Sequence, residues 1–260
     1  MSSSRPLLEV QQATKRYAGV TAVENISFDV FPNEIVGLIG PNGAGKTTLI
    51  NLITGTAVPT QGVITFEGVK LNGLKPYQIS HKGIARTFQV VHPFANLTVL
   101  ENVAVGAMFG AKGRQRSTGD AFKRAEEILK FVQLDAKKGE PANSLTIVHR
   151  KRLELAKALA LEPKLLLLDE VMAGLRGVEV LEATQLIRDI NQLGITVLVI
   201  EHVMKVIMSV CQRVIVLDYG KKIAEGTPQE VTNNPAVIKA YLGARHPSTV
   251  NSVESSTNES

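Results

Sequence analysis

The chain has 260 residues, with 29 Lys and Arg against 24 Asp and Glu and 44% hydrophobic residues. That length allows one or two domains hiding about 70–75% of their unfolded surface, and the composition excludes a disordered or fibrous chain. The formal charge of +5 suits a nucleotide, a phosphate or an anionic surface and is too modest to point to nucleic acid.

No apolar run approaches the ~18 residues of a bilayer span. The start MSSSRPLLEV lacks the apolar stretch of a secretory signal, and the single cysteine, Cys211, fits a reducing compartment. A soluble cytoplasmic protein is expected.

Along the chain, LLEV (7–10), TAVENISFDV (21–30) and GVITFEG (62–68) alternate apolar and polar side chains, as half-buried strands do. EIVGLIG (34–40) is apolar on both faces, the pattern of a strand buried within a sheet. From about residue 96 to 160 the spacing becomes helical. In DAFKRAEEILKFVQL, Phe122, Ala125, Ile128, Leu129 and Val132 line one face, and Asp120 is placed to cap the helix. The Gly-rich basic stretch GAKGRQRSTGD (110–120) reads as a mobile loop. After Pro163 the strands return as LLLLDE (165–170), ITVLVIEH (195–202) and VIVLDYG (214–220). Strands alternating with helical pattern imply right-handed parallel crossovers. The polar end HPSTVNSVESSTNES (246–260) reads as a disordered tail. The fold class expected is α/β: a parallel-sheet core with an antiparallel β layer, interrupted by a helical insertion.

GPNGAGKT, Gly40 to Thr47, matches G-x-x-x-x-G-K-[ST], follows a buried strand and opens a helix. Gly40, Gly43 and Gly45 let backbone amides curl around phosphates without a side chain in the way. Lys46 reaches the β- and γ-phosphates, and the Thr47 hydroxyl can ligate Mg²⁺. Asn42, Ala44 and Thr48 complete the nucleotide-binding set, with the helix N-terminus facing the same anion. LLLLDE ends a buried strand in two carboxylates at the carboxyl edge of the sheet. Asp169 would hold Mg²⁺ through water, and Glu170 would orient or deprotonate an attacking water. A helix-capping Asp-Glu pair is the plainer alternative. His202, at the end of ITVLVIEH, could donate to a γ-phosphate or be structural.

Taken in order, these pieces resemble the ATP-binding subunit of an ABC transporter, from about Leu7 to Gly243. The resemblance implies a P-loop NTPase core of ABC-ATPase type over 6–90 and 160–245, a helical signature subdomain over 91–159 and the tail 246–260. GPNGAGKT is then Walker A, LLLLDE is Walker B, and His202 is the switch histidine. Gln89, in RTFQ, becomes a Mg²⁺ and water contact. Tyr17, in KRYAG, falls where the family stacks an aromatic on adenine, though an exposed loop tyrosine would look the same. The cofactors implied are ATP and Mg²⁺. GIARTFQ, PFANLTVLENV and NNPAVIKAYLG resemble the branch that energises uptake of branched-chain and other neutral amino acids, with relatives that handle amides or urea. The partners implied are two transmembrane permease subunits, a second ATPase subunit (a related chain or a second copy) and, indirectly, a solute-binding protein. The place implied is peripheral, on the cytoplasmic face of the membrane. Val90, Val91, Pro93 and Phe94 would either line the groove for a membrane subunit or belong to the core of the helical subdomain. The alternatives within reach are a lipid or polysaccharide exporter and a soluble ABC ATPase.

The family's L-S-G-G-Q signature is LTIVH here, Leu145 to His149. Thr146 keeps a hydroxyl, Ile147 and Val148 replace the small residues, and His149 replaces Gln. A β-branched Val148 cannot let backbone approach a phosphate as glycine does. Val171 follows Walker B where Pro is usual, and the D-loop AGLRG carries Arg176. The helix expected from about His149 would start with His149, Arg150, Lys151 and Arg152, cations that oppose the macrodipole. Either an anion such as a partner's γ-phosphate docks there, or the charges meet solvent or contacts within the chain. In a head-to-tail dimer this signature would complete the partner's site, so an asymmetric heterodimer is expected.

Overall fold

The computed structural model describes residues 5–87, 93–110, 117–201 and 204–243. Gln89, Val90, Val91, His202, loop residues 111–116 and the tail lie outside them.

The chain opens with a long antiparallel pair, β1 (Leu8–Tyr17) and β2 (Val20–Val30), in register from Leu8 opposite Val30 to Tyr17 opposite Val20. Its two-residue turn places Ala18 and Gly19 at φ of 40° and 92°, the primed geometry that suits the twist of a hairpin. β3 (Ile35–Ile39) is buried along its whole length and runs into a loop that opens α1 (Lys46–Ile53). β4 (Gln61–Phe66) and the short β5 (Val69–Lys70) return to the first layer. That layer is an antiparallel sheet in the order β2-β1-β4-β5.

After α2 (Pro76–His81) and β6 (Ile84–Arg86) the chain leaves the sheet for α3 (Val99–Phe109), α4 (Thr118–Phe131) and α5 (Ile147–Ala160). It re-enters at β7 (Leu165–Asp169), crosses over α6 (Val178–Gln192) to β8 (Thr196–Ile200), then over α7 (Met204–Val210) to β9 (Arg213–Asp218) and β10 (Lys221–Gly226). The second sheet has the order β10-β9-β3-β8-β7-β6, parallel except for the β9–β10 hairpin. Two short helices follow, α8 (Pro228–Thr232) and α9 (Pro235–Gly243).

The central strands are apolar on both faces because the sheet divides two cores. Leu166 and Leu168 of β7 join Val197 and Val199 of β8 on the side of the helical insertion. Leu165, Leu167, Leu198 and Ile200 face the antiparallel layer and α1 on the other. Cys211 is buried under β3, and burial pushes its thiol up to about 12.

Three details differ from the sequence reading. α4 is capped by Ser117, whose hydroxyl accepts the Asp120 backbone N–H at 3.2 Å. Asp120 therefore lies inside the first turn, where its charge favours the macrodipole, and residues 118–120 are helix instead of loop. α5 begins at Ile147, capped by Thr146, so His149 is its third residue and not its start. The edge strand β10 was not foreseen, because its exposed lysines and half-buried residues carry no apolar alternation.

Candidate nucleotide-binding site

The loop between β3 and α1 is held in a shape that only glycine permits at two points. A Cβ on Gly40 would lie 2.1 Å from the Leu217 carbonyl oxygen, and one on Gly45 would lie 2.6 Å from that of Ala22. Gly45, at φ of 100°, also begins α1 from the left-handed region, which costs other residues energy. The turn of the β9–β10 hairpin locks the loop from outside. Gly220 donates to the Ala44 carbonyl at 3.0 Å and accepts the Glu24 N–H at 2.8 Å.

Around this loop lies an open cavity of about 430 Å³, lined by Asn42 to Thr48, by Val20, Thr21 and Ala22 of β2, and by Glu170, Tyr219 and Gly220. That volume lies within the ~300–1,000 Å³ of small-molecule sites. Lys46 is buried, with its ammonium donating to the carbonyls of Gly40 at 2.7 Å and Pro41 at 2.9 Å. Burial holds its pKa below the usual lysine value, and the nearby Glu170 and Asp169 pull it back up. An ammonium held by two neutral carbonyls can exchange them for phosphate oxygens, which are better partners.

Glu170 reaches the same cavity from the end of β7. Its backbone is left-handed, at φ of 49°, and its N–H donates to the Ile200 carbonyl at 2.9 Å. Asp169 is not among the lining residues. Its carboxylate accepts the Arg86 guanidinium at 2.7 Å, and Arg86 also donates to the Asn51 side chain of α1 at 2.8 Å. The Thr87 hydroxyl accepts the Asp169 N–H at 3.1 Å. Mg²⁺ takes hard oxygen donors and keeps much of its water. Thr47 and Asp169 are such donors, and among the described residues no group of three or more His, Cys, Asp or Glu forms a cage. The residues fit an ion held jointly with phosphate oxygens and water.

Tyr17 does not line the cavity but borders it, paired in register with the lining residue Val20. Its ring is exposed, and the Lys15 ammonium lies 4.8 Å from the centroid. Sequence reasoning missed Thr21, Ala22, Tyr219 and Gly220, which come from turns and strands with no local motif. It also passed over Arg86, although that residue stands in the quoted RTFQ.

The signature stretch lies apart from this cavity. Leu145 is buried, and the Thr146 hydroxyl accepts the His149 backbone N–H and sits 3.1 Å from its ring Nδ1. Ile147 is exposed on the first turn, and Val148 faces a separate cleft toward α6. Burial, then the charges of Lys137 and Arg152, hold the His149 pKa below its ordinary value. The cations after it find partners inside the chain. Arg150 donates to the Asn143 carbonyl, Lys151 to those of Glu170 and Val171, and Arg152 pairs with Glu182. Contacts within the chain, one of the alternatives for this basic turn, are thus present.

Pro93 and Phe94 precede α3. The Phe94 ring is half exposed and lies with Asn102, Gly106 and Lys157 along a groove on the helical insertion, with the Lys157 ammonium 5.6 Å from its centroid. Among the described residues no helix is long and apolar enough to cross a membrane.

A model of the ABC transporter family matches residues 23–173, and one of branched-chain amino acid ATP-binding cassette transporters matches residues 221–247. The chain is 39% identical to the high-affinity branched-chain amino acid transport ATP-binding protein LivG of Escherichia coli K12, over 92% of this chain and 99% of that protein. It is 34% identical to the lipopolysaccharide export system ATP-binding protein LptB of Acidithiobacillus ferridurans, over 91% and 97%. Among solved structures, the ADP conformation of an ATP-binding cassette of an ABC transporter superposes with a TM-score of 0.83, at 28% identity, over 92% of this chain and all of that one. With the phosphate loop, the paired carboxylates and the two-layer sheet in place, the chain belongs to the ABC transporter family, as an ATP-binding and ATP-hydrolysing subunit.

Proposed function

We propose that this subunit powers import of branched-chain or other neutral amino acids. The observation that carries this reading is the match of the carboxyl-terminal segment, residues 221–247, to the branched-chain cassette model, beside the likeness to LivG over nearly the whole chain. The subunit works at the cytoplasmic face of the membrane. Its partners are two transmembrane permease subunits, a second ATPase subunit and, through the permeases, a solute-binding protein. The groove beside Phe94 on the helical subdomain (91–159) receives a membrane subunit, and the core (6–90 and 160–245) holds ATP.

In the reaction, the amides of the phosphate loop and Lys46 hold the β- and γ-phosphates. Water attacks the γ-phosphorus, the bond to the β-phosphate oxygen breaks, and Glu170 takes the water's proton, leaving ADP and phosphate. Thr47, Asp169 and Gln89 would hold Mg²⁺, which when bound would supply charge neutralisation on the phosphate oxygens. His202 donates to the γ-phosphate, and Tyr17 stacks on adenine from the rim. ATP bridging two subunits stabilises the closed dimer, and its hydrolysis removes the bridge.

The test is ATP-driven uptake of labelled leucine by vesicles holding the complex purified through this chain from its native membranes. Leucine or amide uptake that stops with Glu170→Gln supports the reading. Transfer of a glycolipid between membranes with no amino-acid uptake would contradict it and favour the exporter class of LptB.

A second reading concerns the partner. Ile147 and Val148 occupy the first helical turn of α5 where the family has small residues, and this motivates an asymmetric heterodimer with one slow site. Restoring glycine at Val148 in the reconstituted pair is expected to raise turnover; an unchanged rate would remove the idea.

A further inference from the structure

Glu170 is held in a left-handed conformation, at φ of 49°. For a residue with a side chain this conformation is strained and persists only where the surroundings over-determine it. Its N–H is fixed by β8 through the Ile200 carbonyl. Its own carbonyl and that of Val171 accept the Lys151 ammonium at 3.3 Å and 3.0 Å, and the Met172 N–H donates to buried Glu201 at 2.9 Å. Lys151 belongs to α5, five residues after its cap, Thr146. Burial disfavours its ammonium, and the charges of Glu201 and Glu170 offset that cost.

Apolar packing also holds this segment: Met172 is buried, and Val171 and Leu175 pack against the core on the side of the helical insertion. Beside Lys151, between α5, α6 and the segment after β7, lies a cleft of about 190 Å³ lined by Val148, Leu155, Val171, Leu175 and Leu186. The Lys151 hydrogen bonds act beside this packing and reach the backbone carbonyl of Glu170 itself.

We infer that Lys151 is a positioning residue for Glu170, by which the helix that begins at the signature turn sets the backbone of the catalytic carboxylate in its own subunit. A shift of α5, when its first turn meets the partner subunit, is passed by two hydrogen bonds to the chain at Glu170. The inference rests on the role proposed above for Glu170, and its own claim is that Lys151 acts on turnover and not on ATP affinity.

The test compares Lys151→Met and Lys151→Arg in the full assembled complex, with Glu170→Gln alongside. Met keeps the stem length and the helix propensity of Lys while removing its donors, and Arg restores donors. The expected result is a fall in kcat of about tenfold for Lys151→Met, the loss due to charge-assisted hydrogen bonds that hold the carboxylate. KM for ATP stays within about twofold, and Lys151→Arg recovers most of the rate. Wild-type kcat in Lys151→Met would overturn the inference. So would a parallel rise in KM with a lowered Tm that Lys151→Arg does not relieve, since that marks general damage. If the unsubstituted complex turns over and Glu170→Gln does too, the role of Glu170 falls and this inference with it.

Discussion

The loop at residues 40–47 and the turn at residues 145–152 are both glycine-dependent phosphate motifs in the family this chain resembles, and the structure treats them differently. The first is braced by its own chain behind the cavity it lines: Ala22 and Leu217 carbonyls crowd Gly45 and Gly40, Gly220 bonds to Ala44, and Lys46 is folded inward. The second has lost its glycines, and its cations are spent on Asn143, Glu170, Val171 and Glu182. A motif that serves its own subunit is held by backbone geometry that a substitution breaks. The turn at 145–152 carries side chains where the family has glycine, and its helix is bonded into its own chain instead.

The comparison breaks most sharply at Gly45→Ala. The new Cβ meets the Ala22 carbonyl at 2.6 Å with φ at 100°, which combines backbone strain and overpacking to about 4 kcal/mol. Nucleotide binding is expected to be lost, together with a lowered Tm, and binding of a fluorescent ATP analogue beside a thermal melt reads both. Arg86→Met is expected to cost about 3 kcal/mol, because it leaves the buried Asp169 carboxylate without its ion pair. Urea unfolding of the full chain measures it, and a loss below about 1 kcal/mol, the range of an exposed pair, would show that Asp169 is satisfied by other groups.

On the turn at 145–152 the effects shrink. Thr146→Ala removes the cap of α5, with an expected loss of about 1 kcal/mol, while nucleotide binding by this chain's own loop is unchanged. His149 has the smallest effect, and its sign is fixed. Its folded pKa lies below the ordinary value of 6.5, so as pH falls through that range the unfolded chain takes up a proton first. Stability therefore declines with falling pH until the folded imidazole also protonates. An NMR titration of His149 with a midpoint above 6.5 would contradict this, and His149→Gln should flatten that part of the pH profile.

Much of the fold was legible because its signals are local. β3, β7 and β8 are continuous aliphatic runs, and such runs belong to strands covered on both faces. The phosphate loop was legible because its glycines and lysine answer to chemistry at fixed spacing. The rest depends on what folding brings from afar. Tyr219 and Gly220 reach the cavity from a hairpin closed by β10, whose exposed lysines carry no apolar strand pattern. Arg86 finds Asp169 only because β6 pairs in parallel with β7. The helix starts at Ser117 and Thr146 were misplaced because several residues in each stretch could cap, and tertiary packing decides among them.

The central claim is that an ATPase site is assembled from the phosphate loop and Glu170. It is tested most directly by ATP turnover and nucleotide retention in the complex carrying Glu170→Gln. The account predicts at least a hundredfold loss of turnover, the scale of removing a general base, with ATP still bound and unhydrolysed. Turnover within twofold of the unsubstituted complex would contradict it and assign the activation of water to another group.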